Sequence, residues 1–583
     1  MDKLETLRHY FGHDIFRPGQ ETMVDALLAG RDCLGVMPTG AGKSLCYQVP
    51  ALMRPGVALV ISPLISLMKD QVAALKSAGV PAAYLNSSLT PHQLDLATER
   101  ARMGAYRIIY VAPERLETAS FRQFARQTPL SLIAVDEAHC VSQWGQDFRP
   151  NYLRIADFVD SLPVRPPVGA FTATATARVR EDIIRLLRLQ SPATVSTGFD
   201  RPNLYLEVAR PRSREAALKA ILRTKRESSG IVYCATRKAV EEVCDKLIAA
   251  GFSAARYHAG LSEEERRRSQ EDFQFDRVQV MVATNAFGMG IDKPNVRFVI
   301  HYNMPRSMEA YYQEAGRAGR DGADAECVLL YSGSDIYTAK WMIEHAEPNP
   351  ELTADEQEAV RRQDMRRLQA MIDYCTGDHC LRGYILRYFG QSAPEKCEGC
   401  SHCIGAQYGE AEKLKRPSRR TAVQSVRPVR EAATEVPAAD PDNLFEQLRA
   451  CRLRLAQGLR VPSYIICDDK TLTDMVRRMP RSRDDMLSVH GMGTAKVGKW
   501  GDDFLRVIAA YAAKHPEHNP VKAASPATPV HTPPRAWSKE EERALREGYL
   551  NGLELAELAR RHGRSMGAIR TRLIRLGLIF DGD

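Results

Sequence analysis

Short unbroken apolar runs recur through the first half of the chain, each ending in a polar cluster and leading into a stretch with apolar positions three and four apart. Runs without alternation suit strands buried on both faces, as in a parallel sheet, and the wider spacing marks one face of a helix. Cys33-Leu34-Gly35-Val36 is the first such run; a glycine-bearing turn follows, and Ser44-Leu45-Cys46-Tyr47-Gln48 then opens a helix. Further strands are predicted at 57–61, 107–111, 132–135 and 168–171, ending respectively in Ser62-Pro63-Leu64, Ala112-Pro113-Glu114-Arg115, Asp136-Glu137-Ala138-His139 and Thr172-Ala173-Thr174. After Phe199-Asp200-Arg201-Pro202-Asn203 the alternation restarts, with strands at 230–234, 278–282 and 296–300. The pattern predicts an α/β fold of two tandem parallel-sheet domains, 1–200 and 201–340.

Beyond them the pattern changes. Residues 341–405 carry a crowd of cysteines, 406–440 are rich in Arg, Pro, Ala and Glu without periodicity and read as a basic flexible linker, and 441–515 regain a period near 3.6. A Pro-rich linker is predicted at 516–535. The last part, 536–583, reads as a helix capped by Ser538 with Glu541, a second helix from Leu553 to His562, a turn at Gly563 and a third helix loaded by Arg564, Arg570, Arg572 and Arg575. That is what a helix-turn-helix with a basic recognition helix would present to the major groove as an anchor for duplex DNA, the alternative being a three-helix protein-binding module.

Length implies roughly three to five domains. No apolar run approaches the ~18 residues of a membrane span, and Met1-Asp2-Lys3-Leu4-Glu5 lacks a signal-peptide pattern, so a cytoplasmic protein without a membrane partner is expected, near the nucleoid if bacterial. A net charge of +9 permits a polyanionic partner without requiring one. Cysteines before Cys375 are scattered among apolar residues as small hydrophobes. Cys380, Cys397, Cys400 and Cys403 are spaced as a tetrahedral Zn²⁺ site, with Cys375 a fifth candidate, and four protein ligands leave no open catalytic position.

The chemistry concentrates at strand ends, where open α/β sheets bind ligands. Met37-Pro38-Thr39-Gly40-Ala41-Gly42-Lys43-Ser44 sits between a strand and a helix, as a phosphate loop must. Its backbone N–H groups would cradle phosphate, Lys43 would reach the β- and γ-phosphates of ATP, and the Ser44 hydroxyl would bind Mg²⁺. Asp136 would hold Mg²⁺ through water, and Glu137 would orient or deprotonate the attacking water. In the second half, Arg317 and Arg320 lie three apart, so a helix would turn both to one side, toward a γ-phosphate across a cleft. In the loop Ser142-Gln143-Trp144-Gly145-Gln146-Asp147-Phe148-Arg149, aromatics interleaved with an arginine suit single-stranded nucleic acid, although packing into core explains Trp144 and Phe148 equally well.

The ordered set 11–20, 37–48, 62–71 and 136–140 resembles superfamily-two helicases, and the RecQ family closely. The resemblance extends over Ala283-Thr284-Asn285, Gln313-Glu314-Ala315-Gly316-Arg317-Ala318-Gly319-Arg320, Tyr257-His258-Ala259-Gly260 with Arg237, the Cys380 register and Leu487-Ser488-Val489-His490-Gly491-Met492-Gly493. It implies two RecA-like domains, a zinc-binding helical module, a helical HRDC bundle and no winged helix. It further implies that Arg17 and Gln20 bind adenine, that Gln313 joins Arg317 and Arg320 in catalysis, that Trp144, Phe148, Arg149, Arg237 and Thr284 contact DNA, and that Cys380 belongs to the zinc set. Gly491 and Gly493, with Lys496 and Lys499 nearby, would suit approach to a DNA phosphate, and docking of protein by this bundle is an equal alternative.

The implied activity is an ATP-, Mg²⁺-dependent DNA helicase moving 3′ to 5′ on single-stranded DNA and unwinding forked duplex in repair and recombination. A monomer is implied, partnered by single-strand-binding and recombination proteins. The rivals are a duplex translocase or RNA remodeller on the same motor, and a DNA-tethering scaffold that does not hydrolyse ATP. Intact Lys43, Asp136, Glu137, Arg317 and Arg320 argue against the scaffold.

Overall fold

The computed structural model describes the chain except residues 64, 144–147, 227, 288–292, 347–352, 409–442, 460, 516–538, 551–552, 554, 563–568, 570–571 and 574–583. Seven strands form the first sheet: β1 (Cys33–Val36), β2 (Val57–Ile61), β3 (Ala82–Leu85), β4 (Ile108–Val111), β5 (Leu130–Val135), β6 (Val168–Thr172) and β7 (Ala193–Ser196). Their order is β3-β4-β2-β5-β6-β1-β7, and every pair is parallel. The second sheet holds β8 (Leu204–Ala209), β9 (Ser229–Tyr233), β10 (Ala254–Tyr257), β11 (Val280–Ala283), β12 (Val296–His301) and β13 (Ala325–Leu330), in the parallel order β10-β11-β9-β12-β13-β8. Parallel sheets need cover on both faces, and β1, β2 and β4 are buried along their whole length, as their unbroken apolar runs require.

One buried acid sets the start of the first sheet. Asp32, 2% exposed, accepts two hydrogen bonds from Arg165 (3.0 and 2.7 Å), one from the Val168 amide (2.8 Å) and one from the Gln190 amide (2.7 Å). The amino-terminal ends of β1 and β6 and the approach to β7 thus converge on a single carboxylate.

The cysteine-bearing module continues from the second sheet. Helix Ala354–Thr376 and helix Leu381–Tyr388 precede the cysteine loops, and Cys400 bridges to Leu206 on edge strand β8. An exposed strand edge invites further pairing, and this contact covers it. Helices Leu444–Leu459, Asp469–Arg478 and Thr494–Lys514, with two short helices, enclose a core of Leu448, Ile466, Leu472, Met475, Met486, Met492 and Phe504, each fully buried.

Residues 512–583 form a separate compact unit. There, helices Lys539–Leu550 and Leu555–His562 pack around Leu545, Leu558, Ile569 and Leu573. Ser538, Gly563, Arg564, Arg570, Arg575 and both predicted linkers (406–440 and 516–535), apart from 406–408, lie outside the described residues. No described helix is long and apolar enough to cross a membrane.

Candidate active site

The loop after β1 carries its left-handed turns on glycine: Gly40 has φ 82° and Gly42 φ 79°. A side chain at Gly42 would be strained by that φ and would displace Gln20, whose amide nitrogen lies 2.5 Å from where a Cβ would stand. Met37, by contrast, stays out of the left-handed region, so a glycine is not needed at that position. The Met37 amide donates to Thr172 of β6 (3.0 Å), and its carbonyl accepts the Lys43 ammonium (3.2 Å). Gln20 spans the loop from behind, accepting from the Arg17 amide (2.8 Å) and donating to the carbonyls of Ala41 (3.1 Å) and Gly42 (3.0 Å). Arg17 donates to the Gly40 carbonyl. The two expected base-binding residues therefore also brace the phosphate loop.

Two strands away in the sheet, β5 delivers Asp136 and Glu137. Asp136 is buried and accepts from the Glu137 amide (3.0 Å), while its carbonyl accepts the Tyr152 hydroxyl (2.9 Å). Glu137 sits in the left-handed region (φ 47°, ψ 47°), strained for a residue with a Cβ and frequent at functional sites. Its carboxylate lies 3.3 Å from His139 Nδ1, which also lies 2.9 Å from the Thr172 hydroxyl. The acidic strand end and the Thr172-Ala173-Thr174 cluster are thereby joined through one buried imidazole, a role not expected of His139.

The second sheet brings its arginines to the same place, by a different local route from the one expected. Helix Met308–Ala315 ends before them, so Arg317 and Arg320 lie on a turn and not on a helix. Gly316, Gly319 and Gly322 disfavour continuation, and Gly319 turns left-handed (φ 55°). Arg201 gathers the carbonyls released there. Its guanidinium donates to Gly316 (3.2 Å), Ala318 (2.8 Å), Gly319 (2.9 Å) and, across the lobes, Thr39 of the phosphate loop (3.0 Å). The Thr39 hydroxyl returns a bond to the Gly316 carbonyl (2.9 Å). In the sequence Arg201 marks only the boundary between the halves, a lone arginine with no side-chain pattern to announce its backbone partners.

Lys43, Ser44, Asp136 and Glu137 from one lobe and Gln313, Arg317 and Arg320 from the other line a single cavity of about 430 Å³. Arg317 is buried and Arg320 half-buried. This clustering of cations around paired acids fits a polyanion with a bound cation.

The cavity has a third wall. Tyr464, Asp468, Lys470 and His490 of the helical bundle line it too. The bundle is seated on the first lobe by the Gly491 amide donating to the Gly12 carbonyl (3.1 Å) and by Lys499 donating to the carbonyls of Lys76 (3.3 Å) and Ser77 (3.0 Å) at a helix carboxyl end. A Cβ at Gly12 would stand 2.7 Å from the Gly491 backbone. The Gly491–Lys499 stretch, read from sequence as suited to DNA phosphate or to docking, carries the bundle's seat on the first lobe.

His13 and His490 face each other at 5.0 Å between ring centroids. Burial, then the His490 and Arg17 charges, pushes His13 down to about 4 from an ordinary 6.5. Asp468 opposes this and Lys496 adds to it. His13 is therefore neutral when covered and binds a proton more readily when uncovered. The seat is strongest above about pH 6.5 and weakens as pH falls from there toward 4. The protection factor of the Gly491 amide (its exchange rate corrected for the intrinsic pH dependence) is expected to fall over that window, and His13→Gln to lessen the fall; a pH-independent protection factor in the parent would count against it.

Of the residues expected to contact DNA, Trp144 lies outside the described residues. Phe148 is half-buried, and Arg149 donates to the Pro63 carbonyl (3.1 Å). On the other lobe, Arg237 is exposed at the start of helix Arg237–Ala249 and lies against Gly260, and Thr284 is buried after β11, its amide on the Tyr257 carbonyl (3.1 Å).

Cys380, Cys397, Cys400 and Cys403 place their sulfurs within 4.8 Å of one another, with Cys380 and Cys400 at 4.0 Å. Four thiols drawn together at that spacing fit a tetrahedral Zn²⁺, whose Zn–S bonds are about 2.3 Å. Cys375 is buried in its helix, outside this group.

Family models match along the chain: DEAD/DEAH box helicase over 17–183, helicase conserved C-terminal domain over 213–322, RecQ zinc-binding over 333–404 and HRDC domain over 442–508. The ATP-dependent DNA helicase RecQ of Bacillus subtilis is 37% identical over 87% of this chain and 98% of that protein. The protein of the same name from Pasteurella multocida is 35% identical over 89% of this chain and 95% of its own length. Mouse ATP-dependent DNA helicase Q5 is 40% identical over 68% of this chain and 42% of that protein.

Proposed function

The chain belongs to the RecQ family of superfamily-two helicases, and from that membership together with the cleft we infer how its residues divide the work. It is an ATP-dependent DNA helicase of RecQ type with a zinc-binding module. The observation that carries the reading is the convergence of Lys43, Asp136 and Glu137 with Arg317 and Arg320 on one cavity.

In our reading the loop amides and Lys43 bind the β- and γ-phosphates, and Arg17 and Gln20 hold the base. Ser44 and Asp136 would hold Mg²⁺, which when bound neutralises phosphate charge. Glu137 orients the attacking water and takes its proton, with the His139 imidazole beside its carboxylate. Arg317 and Arg320 meet the charge that develops on the γ-phosphoryl group as its bond to the leaving oxygen breaks. Gln313, buried beside them, positions the γ-phosphate end of the cleft. Because Thr39 and Arg201 tie the loop to the arginine turn, nucleotide occupancy and lobe closure are linked. The strand track runs over Trp144, Phe148 and Arg149 on one lobe and Arg237 and Thr284 on the other. We assign 3′-to-5′ movement on single-stranded DNA, forked-duplex unwinding in repair and recombination, and a monomeric motor working beside single-strand-binding proteins.

ATP hydrolysis should rise at least about tenfold with single-stranded DNA, less with duplex or RNA, and vanish in Lys43→Ala, as loss of a phosphate-binding lysine requires. Forked substrates with one labelled polarity should unwind only when the 3′ tail is single-stranded. Preferential stimulation by RNA, or by blunt duplex without unwinding, would favour the remodeller or translocase.

A further inference from the structure

Tyr233 closes β9, a central strand of the second sheet, and its side chain is buried, 3% exposed. In register, Ala283 of β11 and His301 of β12 flank it, so all three present their side chains to one face. His301 stacks on the Tyr233 ring, with centroids 5.6 Å apart and planes 24° from parallel. His301 Nε2 lies 2.9 Å from the carboxylate of Glu314, on helix Met308–Ala315, which ends two residues before Arg317.

Packing accounts for the Tyr233 ring but not for where its hydroxyl is aimed. A buried tyrosine hydroxyl seeks a partner, and this one donates to the Phe287 carbonyl (2.8 Å). Phe287 shares a turn with Thr284, already assigned to the DNA track. The Phe287 amide donates to the Thr284 carbonyl (2.9 Å), and the Ala286 amide to the Thr284 hydroxyl (3.4 Å). On its other side the hydroxyl meets the nucleotide end of the lobe. Tyr233 and Arg317 line one cavity of about 370 Å³ together with Gln313 and Glu314. Burial holds the hydroxyl above the usual tyrosine range, so it keeps its proton, and of the charges acting on it Arg317 weighs most. With that proton given to Phe287, the oxygen still has lone pairs for a guanidinium donor. Arg317 Nε is buried with no hydrogen-bond partner among the described residues, so the guanidinium is not fixed from its own stem. One hydroxyl thus stands between the backbone of the Thr284 turn and the arginine assigned to the γ-phosphate.

We propose that Tyr233 is a positioning residue whose hydroxyl transmits the seating of a single DNA strand on the Thr284 turn to the Arg317 guanidinium. The relay rests on the roles assigned above to Thr284 and Arg317. Coupling between two sites is typically worth about 5- to 150-fold.

The test uses the full chain and measures ATP hydrolysis with and without oligo(dT). Tyr233→Phe deletes the hydroxyl and keeps the ring. The stimulation ratio should fall about fivefold or more through kcat, with KM for ATP and oligo(dT) affinity by anisotropy within about twofold of the parent. Fluorotyrosine incorporated in place of Tyr233 retains the hydroxyl and should preserve stimulation, and its fluorine resonance should move when oligo(dT) is added. Adding Tyr233→Phe to Arg317→Ala should lower the single-turnover rate no further, because a residue that acts through a guanidinium has nothing left to act on. Undiminished stimulation in Tyr233→Phe overturns the relay. So does an equal fall in both backgrounds, which makes the residue independent of Arg317, or a loss of oligo(dT) affinity that matches the loss of rate, which places it in strand binding. Where Tyr233→Phe lowers Tm too far for assay, the fluorine resonance decides, and a signal unmoved by oligo(dT) overturns the relay. Arg317→Ala separates the two failures: if it lowers kcat while Tyr233→Phe is silent, only the relay falls, and if it leaves kcat unchanged, the assigned roles fall and the relay with them.

Discussion

Arg317→Ala is expected to lower kcat for ATP hydrolysis by about 10³–10⁵, the range found when an arginine that meets transition-state charge is removed in phosphoryl transfer. The expectation rests on placement. Arg317 is 5% exposed and shares one cavity with Lys43, Asp136 and Glu137, so it acts where water is scarce and charge interactions are strong. An interaction made mainly in the transition state lowers kcat and kcat/KM together and leaves nucleotide binding nearly untouched. Lysine should restore little, because an ammonium lacks the planar fork of donors. Arg320, half-buried at the mouth of the same cavity, should cost less when removed. Single-turnover hydrolysis beside fluorescent-nucleotide affinity checks the split. A fall in affinity with kcat held within about tenfold would move Arg317 from catalysis to ground-state binding.

The second large effect concerns the zinc module. Cys400→Ser, or exhaustive chelation, should release the metal and lower Tm well beyond the effect of a local loop. Structural zinc binding contributes of order 10 kcal/mol in small modules, and even a third of that would move Tm by roughly 10 °C. The effect should spread because the module is bonded into the second lobe. The Leu206 amide on β8 donates to Gly399 (3.0 Å), and Arg382 donates to Asp200 (2.7 Å), to the Arg201 carbonyl (2.6 Å) and to the Leu204 carbonyl (2.6 Å). Freed from the metal, the cysteine loops would uncover the β8 edge and loosen the crossover between lobes. Zinc content, a melting curve and exchange at the Leu206 amide are the measurements. A metal-free protein with parental Tm and protected Leu206 would show the module to be an appendage.

Strand ends were the most legible part of the chain. Cys33–Val36 and Val57–Ile61 are strands with the bounds that their apolar runs suggest, because residues buried on both faces leave an unbroken signature. The arginine pair was legible in its place facing the first lobe's cavity but not in its shape: spacing of three suggested a helix, and the glycines on either side decided for a turn. The bundle's seat was illegible. Gly12 meets the Gly491 backbone only because Gly12 lacks a side chain, and nothing in either local pattern names the other. Arg201 was missed for a related reason. A cation that satisfies backbone carbonyls has no side-chain partner in the sequence to betray it. Helix Ala354–Thr376 is largely polar on its outer surface, so its weak periodicity hid its length.

Arg201 also determines what it takes to part the lobes. Of the four carbonyls on its guanidinium, three belong to the arginine turn and one, that of Thr39, to the opposite lobe. Separation surrenders that one acceptor, and the nitrogen that loses it still faces Gly316. The cation is therefore never stranded without partners, which is the expensive outcome for a desolvated charge. A joint built in this way parts and re-forms many times at little energetic penalty, as a machine that cycles with each nucleotide needs.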